Sequence, residues 1–77
     1  MVTVRLFAQL RDLFGGDAVA VGAGTAGGVR AALVALCPAA APLLARCRVA
    51  VNLEFVDDGH AVAAADEVAV IPPVSGG

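Results

Sequence analysis

Residues 25–38 read TAGGVRAALVALCP, and how this stretch folds decides the rest of the chain. Thr25 is a good N-cap type, because its hydroxyl can accept from a free N–H of the first helical turn. Pro38 ends the segment, since the residue before a proline is pushed out of helical geometry. Between them Val29, Leu33, Leu36 and Cys37 recur at helical spacing and are expected on one face. Gly27 and Gly28 weaken the first turn by about 1 kcal/mol each relative to alanine. This is the main helix of the chain.

The flanks read mainly as strands. VTVRLF at residues 2–7 alternates, with Val2, Val4 and Leu6 on one face and Thr3, Arg5 and Phe7 on the other. AQLRDLFGG at residues 8–16 reads as a short helical turn, with Leu10, Leu13 and Phe14 on one side and Gly15-Gly16 as its stop. DAVAVGA, residues 17–23, returns as a hairpin partner. On the other flank, AAAPLLAR at residues 39–46 is a further short helical piece or a loop. CRVAVNLEFV, residues 47–56, is a hairpin turning at Asn52-Leu53, with Phe55 opposite Ala50. DDGHAVAAADE is a connection with a turn at Asp58-Gly59. VAVIPP places Val68 and Val70 on one face and Ala69 and Ile71 on the other, and Pro72-Pro73 ends the ladder. The order is β-β-α-β-β(-β), a mixed sheet packed on one main helix in the α+β class, and the pattern alone leaves several folds open.

The 77 residues are read as one domain, residues 1–73, followed by a flexible tail, residues 74–77. All five cations are arginine and lie scattered, which argues against nucleic-acid binding. No apolar run is long enough to span a bilayer, and the start lacks the pattern of a signal peptide, so the expected address is the cytoplasm. Cys37 and Cys47 match no zinc spacing and are read as core or near-core thiols. His60 is read as a solvent-facing loop residue. Asp57-Asp58 and Asp66-Glu67 are read as turn and surface acids, with no metal site among them.

The chain closes on IPPVSGG. A Gly-Gly end by itself fits a disordered terminus or an engineered scar as well as a functional tail. Pro72-Pro73 adds a stiff, extended exit from the last strand. Val74 and Ser75 then lead to Gly76 and Gly77, which have no Cβ and can thread a narrow channel. A carboxylate is a poor acyl donor, so a working tail requires activation, for which adenylation by ATP is the usual route. An acyl-adenylate is then open to attack by sulfur.

Three apolar residues fall on outward faces: Phe7, Phe55 and Ile71. If the first, last and hairpin strands are neighbours, the three form one exposed patch near the root of the tail. Isolated exposed apolar residues are ordinary, whereas contiguous patches mark contact sites. Arg5 and Arg11 are read as solvated surface, with polar contacts at the rim of that patch as the alternative.

VRLFAQLRDLFG at residues 4–15, AVNLEFV at residues 50–56 and DEVAVIPPVSGG at residues 66–77 resemble the small, sulfur-carrier subunit of molybdopterin synthase. The resemblance runs end to end and implies the ubiquitin-like β-grasp fold. It implies that a ubiquitin-activating-type adenylyltransferase uses ATP to adenylate Gly77, which then becomes a thiocarboxylate. It implies that the tail enters the large synthase subunit, in a heterotetramer, and gives its sulfur to a cyclic pyranopterin precursor to build the dithiolene. The chain itself would be a non-catalytic subunit binding no cofactor and no metal. Phe7, Phe55 and Ile71, with Pro72, Pro73, Val74 and Ser75, would meet the partner, and Gly76 would let the tail thread. The chain departs from the family at Ala65, where a turn glycine is common, and at Val70-Ile71, where aromatics are common. Sulfur carriage for thiamine thiazole, cysteine or tRNA thiolation, ubiquitin-like protein modification and a plain interaction domain are the alternatives. The chain contains no lysine, so it cannot build lysine-linked polymers on itself.

Overall fold

Alternation in residues 2–7 produces β1 (Val2–Leu6), whose Val2, Val4 and Leu6 are buried while Thr3 and Arg5 face outward. The computed structural model describes residues 1–73. After β1 comes α1 (Gln9–Phe14), closed by Gly15 in the left-handed region at φ 72°, a geometry glycine adopts without a Cβ clash. The chain returns as β2 (Ala18–Val21), antiparallel to β1 with Val4 opposite Val19.

The main helix, α2, is Ala26–Leu36. Thr25 caps it as expected: its Oγ1 accepts from the Gly28 N–H at 3.0 Å. A 3-10 turn (Pro38–Ala40) leads into α3 (Ala41–Leu44). The hairpin is β3 (Arg48–Val51) and β4 (Glu54–Val56), and β5 (Val68–Ile71) is the last strand. The strands order β2-β1-β5-β3-β4, with β1 and β5 parallel and the other pairs antiparallel. This is the predicted α+β arrangement of a mixed sheet and one main helix.

The core joins the inward residues of β1, β3 and β5 and Val21 of β2 to Ala26, Val29 and Leu33 of α2, with Leu10, Ala40, Leu44, Cys47 and Val62 around them. Two expectations change here. Leu36 does not continue the buried face of Val29 and Leu33. The helix stops at Leu36, and Cys37 leaves it at φ −142°, so Leu36 is exposed and Cys37 is half-buried. Ala40 and Leu44 fill that end of the core instead. Likewise α1 is too short to bury a full face: Leu10 is buried, Phe14 half-buried and Leu13 exposed.

The connection between β4 and β5 is more than a tether. It supplies Val62 to the core and lies against the start of α2. The N–H groups of Ala26 and Gly27, free donors of the first helical turn, give to the carbonyls of His60 and Asp58 at 2.9 and 2.7 Å. Gly27 is required for that approach, since a Cβ there would stand 3.0 Å from the Asp58 Cβ. Arg30, one turn on, donates to the carbonyls of Leu44 and Cys47 and pairs with Asp58 at 3.0 Å. Asp58 is therefore a structural acceptor rather than only a surface acid.

Candidate functional site

The parallel pairing of β1 and β5 brings the first and last strands to a common end of the sheet. Leu6 stands beside Val70, so Phe7 follows β1 next to Ile71, the last residue of β5, and Pro72 comes directly after. Their neighbours on the outward face are set by register. Arg5 pairs with Ala69, Ala69 with Ala50, and Ala50 with Phe55, so one row crosses four strands. The two alanines in the middle of that row make a low floor. Phe7, Phe55, Ile71 and Leu53 stand around it, and the result is a trough of about 330 Å³.

Ala50 shows the effect of this arrangement. It points away from the core cluster yet is only 7% exposed, because the taller outward side chains flank it. Phe7 and Phe55 are 42% and 51% exposed, and Ile71 is half-buried. The guanidinium carbon of Arg48 sits 3.8 Å from the centroid of the Phe55 ring, a cation–π contact that steadies the ring. Arg5 and Glu67, of opposite charge, line the trough as well.

A second recess of about 440 Å³ shares Phe7 and Ile71 and continues along Ala8, Gln9 and Asp12 to Pro72 and Pro73. Ala8 holds φ 51° and ψ −126°, a corner geometry that favours glycine, closed by the Leu10 N–H donating to the Phe7 carbonyl at 3.1 Å. A side chain there costs about 1–3 kcal/mol, so the fold holds strain beside the exit of the last strand. Pro72 is buried and Pro73 half-buried, so the exit is anchored on the domain. Val74, Ser75, Gly76 and Gly77 lie outside the described residues.

Sequence reasoning named Phe7, Phe55 and Ile71, and the fold brings all three to one face. It passed over Arg48, Leu53 and the alanine floor. Cross-strand register decides which small residues lie beneath which large ones, and the outward alternation of Ala50 and Ala69 was the available signal. Behind the trough, Asn52 and Asp66 organise the hairpin tip. Asp66 accepts from the Ala63 N–H at 2.8 Å and from the Asn52 side chain at 3.1 Å, which holds its carboxyl below the usual range. Asn52 also accepts from the Glu67 N–H at 2.9 Å. Ala65 is not at positive φ, so this turn has no need of the glycine common in the family. Cys47 is buried with its thiol directed at the Leu43 carbonyl, and burial pushes that thiol up. Both cysteines are free.

The ThiS family profile matches residues 4–77. The chain belongs to the ThiS family. SAMP1 from Haloferax volcanii is 34% identical, with a TM-score of 0.79, covering 99% of this chain and 98% of that one. A chain of the Amycolatopsis orientalis BexX/CysO complex is 25% identical, with a TM-score of 0.80 and complete coverage of both chains. A chain of the Helicobacter pylori complex of molybdopterin-converting factor subunits 1 and 2 is 23% identical, with a TM-score of 0.69, covering 99% of this chain and 97% of that one, a likeness of fold. A comparison with curated proteins found no match. Like these ThiS-type neighbours, the chain has the β-grasp fold, and it is a sulfur carrier or ubiquitin-like modifier in class. No helix among the described residues is long and apolar enough to cross a membrane.

Proposed function

We propose that this ThiS-family chain carries sulfur for molybdenum cofactor biosynthesis. The observation that carries the reading is the outward trough of Phe7, Phe55 and Ile71, which adjoins the exit of the last strand at Pro72 and Pro73. A partner that grips this face holds the root of the tail in a set direction. The likeness of residues 4–15 and 66–77 to the small synthase subunit supports the choice of pathway.

The chemistry follows from the tail. The Gly77 carboxylate attacks the α-phosphorus of ATP on an adenylyltransferase, and pyrophosphate leaves. A sulfur nucleophile then displaces AMP from the acyl carbon and gives a thiocarboxylate. In the large synthase subunit that sulfur attacks a side-chain carbon of the pyranopterin precursor, forming a C–S bond as the C–O bond at that carbon breaks and its oxygen substituent leaves. Hydrolysis of the resulting acyl link returns the Gly77 carboxylate and leaves the sulfur on the pterin. Gly76 lets the tail thread, Pro72 to Ser75 line the way in, and the two subunits assemble as a heterotetramer. The chain binds no cofactor of its own in this scheme. Free Cys37 and Cys47 fit a reducing, cytoplasmic setting.

Intact mass spectrometry tests this directly. The chain is incubated with its adenylating enzyme, ATP and a sulfur donor. A sulfur-for-oxygen exchange at Gly77 is expected, reversed on adding large subunit and pterin precursor. An exchange that survives that addition sinks the pathway.

The 34% identity to SAMP1 favours a second reading, a protein modifier whose activated Gly77 is attacked by lysines of other proteins. It predicts amide-linked adducts of the chain on target lysines. No such product forms if the chain delivers only sulfur.

A further inference from the structure

On one side the sheet ends in β2, with no strand beyond it among the described residues. The Leu6 N–H donates to the Asp17 carbonyl across the β1–β2 ladder. Bonded pairs alternate in an antiparallel ladder, so Val4 with Val19 and Val2 with Val21 are bonded pairs as well. The backbone groups of Val19 and Val21 are thereby turned to β1, and those of Ala18 and Ala20 are turned outward. Edge strands are ordinarily guarded by a charge, a proline or a bulge, and the AVAV of β2 in its unbroken register has none of these. The opposite edge, β4, has three residues and begins with Glu54. Beside the β2 edge, an apolar groove of about 320 Å³ runs between β2 and α2. Met1, Val21, Ala32, Ala35 and Leu36 line it, and Met1 and Leu36 are 78% and 57% exposed. Neither the core nor the trough accounts for Leu36.

We propose that a second copy of this chain covers this edge, the two β2 strands pairing antiparallel about a two-fold axis at Val19. In that register Ala18 of each copy stands opposite Ala20 of the other. Each such pair exchanges both of its backbone bonds, so the outward groups of both alanines are satisfied. An axis normal to the sheet keeps both α2 helices on one face, and their flanks of Ala32, Ala35 and Leu36 close over the joined strands. A lone extended segment covers the edge only, whereas a whole copy brings its own α2 to cover Leu36. Charge permits the arrangement. Asp17 falls opposite Val21 of the other copy, so the two Asp17 carboxylates stand four residues apart along the ladder. That is about 14 Å, beyond the Debye length of about 8 Å. The chain measures 31 × 25 × 18 Å, so one side wall offers roughly 500 Å² per copy. The pair then buries about 1,000 Å², the lower bound for a specific interface, and is a dimer in exchange with monomer. The trough takes no residue from β2, so the pair leaves it open and presents two tails. The assignment does not depend on which pathway the tail serves.

Sedimentation velocity and amide hydrogen exchange on the full chain test this, from about 10 μM to 1 mM, the range in which so small an interface dissociates. A shift from monomer to dimer is expected across that range. The Ala18 and Ala20 amides are expected to exchange about tenfold more slowly at the high end. Those of Val19 and Val21, bonded within the chain, stay protected throughout. Ala20→Pro removes an outward donor and leaves the β1 ladder intact, since an edge whose N–H faces water tolerates proline. Leu36→Glu leaves the strand untouched and puts a charge on the helix flank. Both variants are expected to fold and to remain monomeric at the highest concentration. A parent that stays monomeric there overturns the proposal. So does a dimer that Leu36→Glu leaves intact, or one in which the Ala18 and Ala20 amides exchange as fast as in the monomer. Monomers in which those two amides become protected only when a different protein is added assign the edge to that protein and likewise overturn the second copy.

Discussion

At the scale of single residues, the hairpin tip depends on one carboxylate. Asp66 receives the Ala63 N–H and the Asn52 amide, and these bonds lower its pKa in the folded chain, the backbone bond most. A group lowered on folding adds stability that is complete above its unfolded pKa. That stability is lost as pH falls through the ordinary aspartate range to the lowered folded value. The parent should therefore lose melting temperature on acidification more steeply than Asp66→Ala across that window. Parallel melting curves for the two chains from neutral to acid pH would refute the role. The two acids Asp66-Glu67 were legible in the sequence as turn residues. Their use was not, because the partner, Asn52, lies in the β3–β4 turn fourteen residues earlier and only the fold brings it near.

Among the elements, α2 shows best how local pattern and tertiary contact divide the work. Its cap at Thr25 and the inward pair Val29 and Leu33 follow from spacing alone. Its start, however, is closed by a loop some thirty residues away, and its middle is tied down through Arg30. The two carbonyl acceptors of Arg30 lie where α3 stops and just before β3 begins. Replacing Arg30 by Met should cost about 2–4 kcal/mol, since charge-assisted bonds to two part-buried carbonyls are lost together. Asp58→Asn should cost less than about 1 kcal/mol, because that carboxylate is 61% exposed and screened by water. Urea unfolding of the two variants separates the effects, and equal losses would show that the ion pair, not the carbonyl bonds, holds the helix.

For the whole molecule, the parallel pairing of β1 and β5 has the greatest consequence. It sets the first strand of the chain beside the last and so places Phe7 next to the exit of the tail. A partner can thus grip the domain and direct the tail with one surface. Phe7→Asp puts a charge where a partner must exclude water and should weaken binding of the proposed partner protein at least tenfold. Phe7 is 42% exposed and outside the core, so the melting temperature should fall only slightly. Unchanged affinity by titration calorimetry would remove the trough from the docking surface.

The residues themselves determined most of the elements, the outward position of Phe7, Phe55 and Ile71, and the placing of Pro72-Pro73 directly after the last strand. Periodicity, proline and glycine act over a few residues, and that range is readable along the chain. Only the tertiary structure decided which strands are neighbours. That choice made Ala50 and Ala69 the floor of a trough and turned Leu36 outward. It also drew Asp58 and Val62 against the helix and left Leu53 exposed in a conformation that suits glycine. Each of these depends on groups far apart in sequence, and no local pattern encodes their distance.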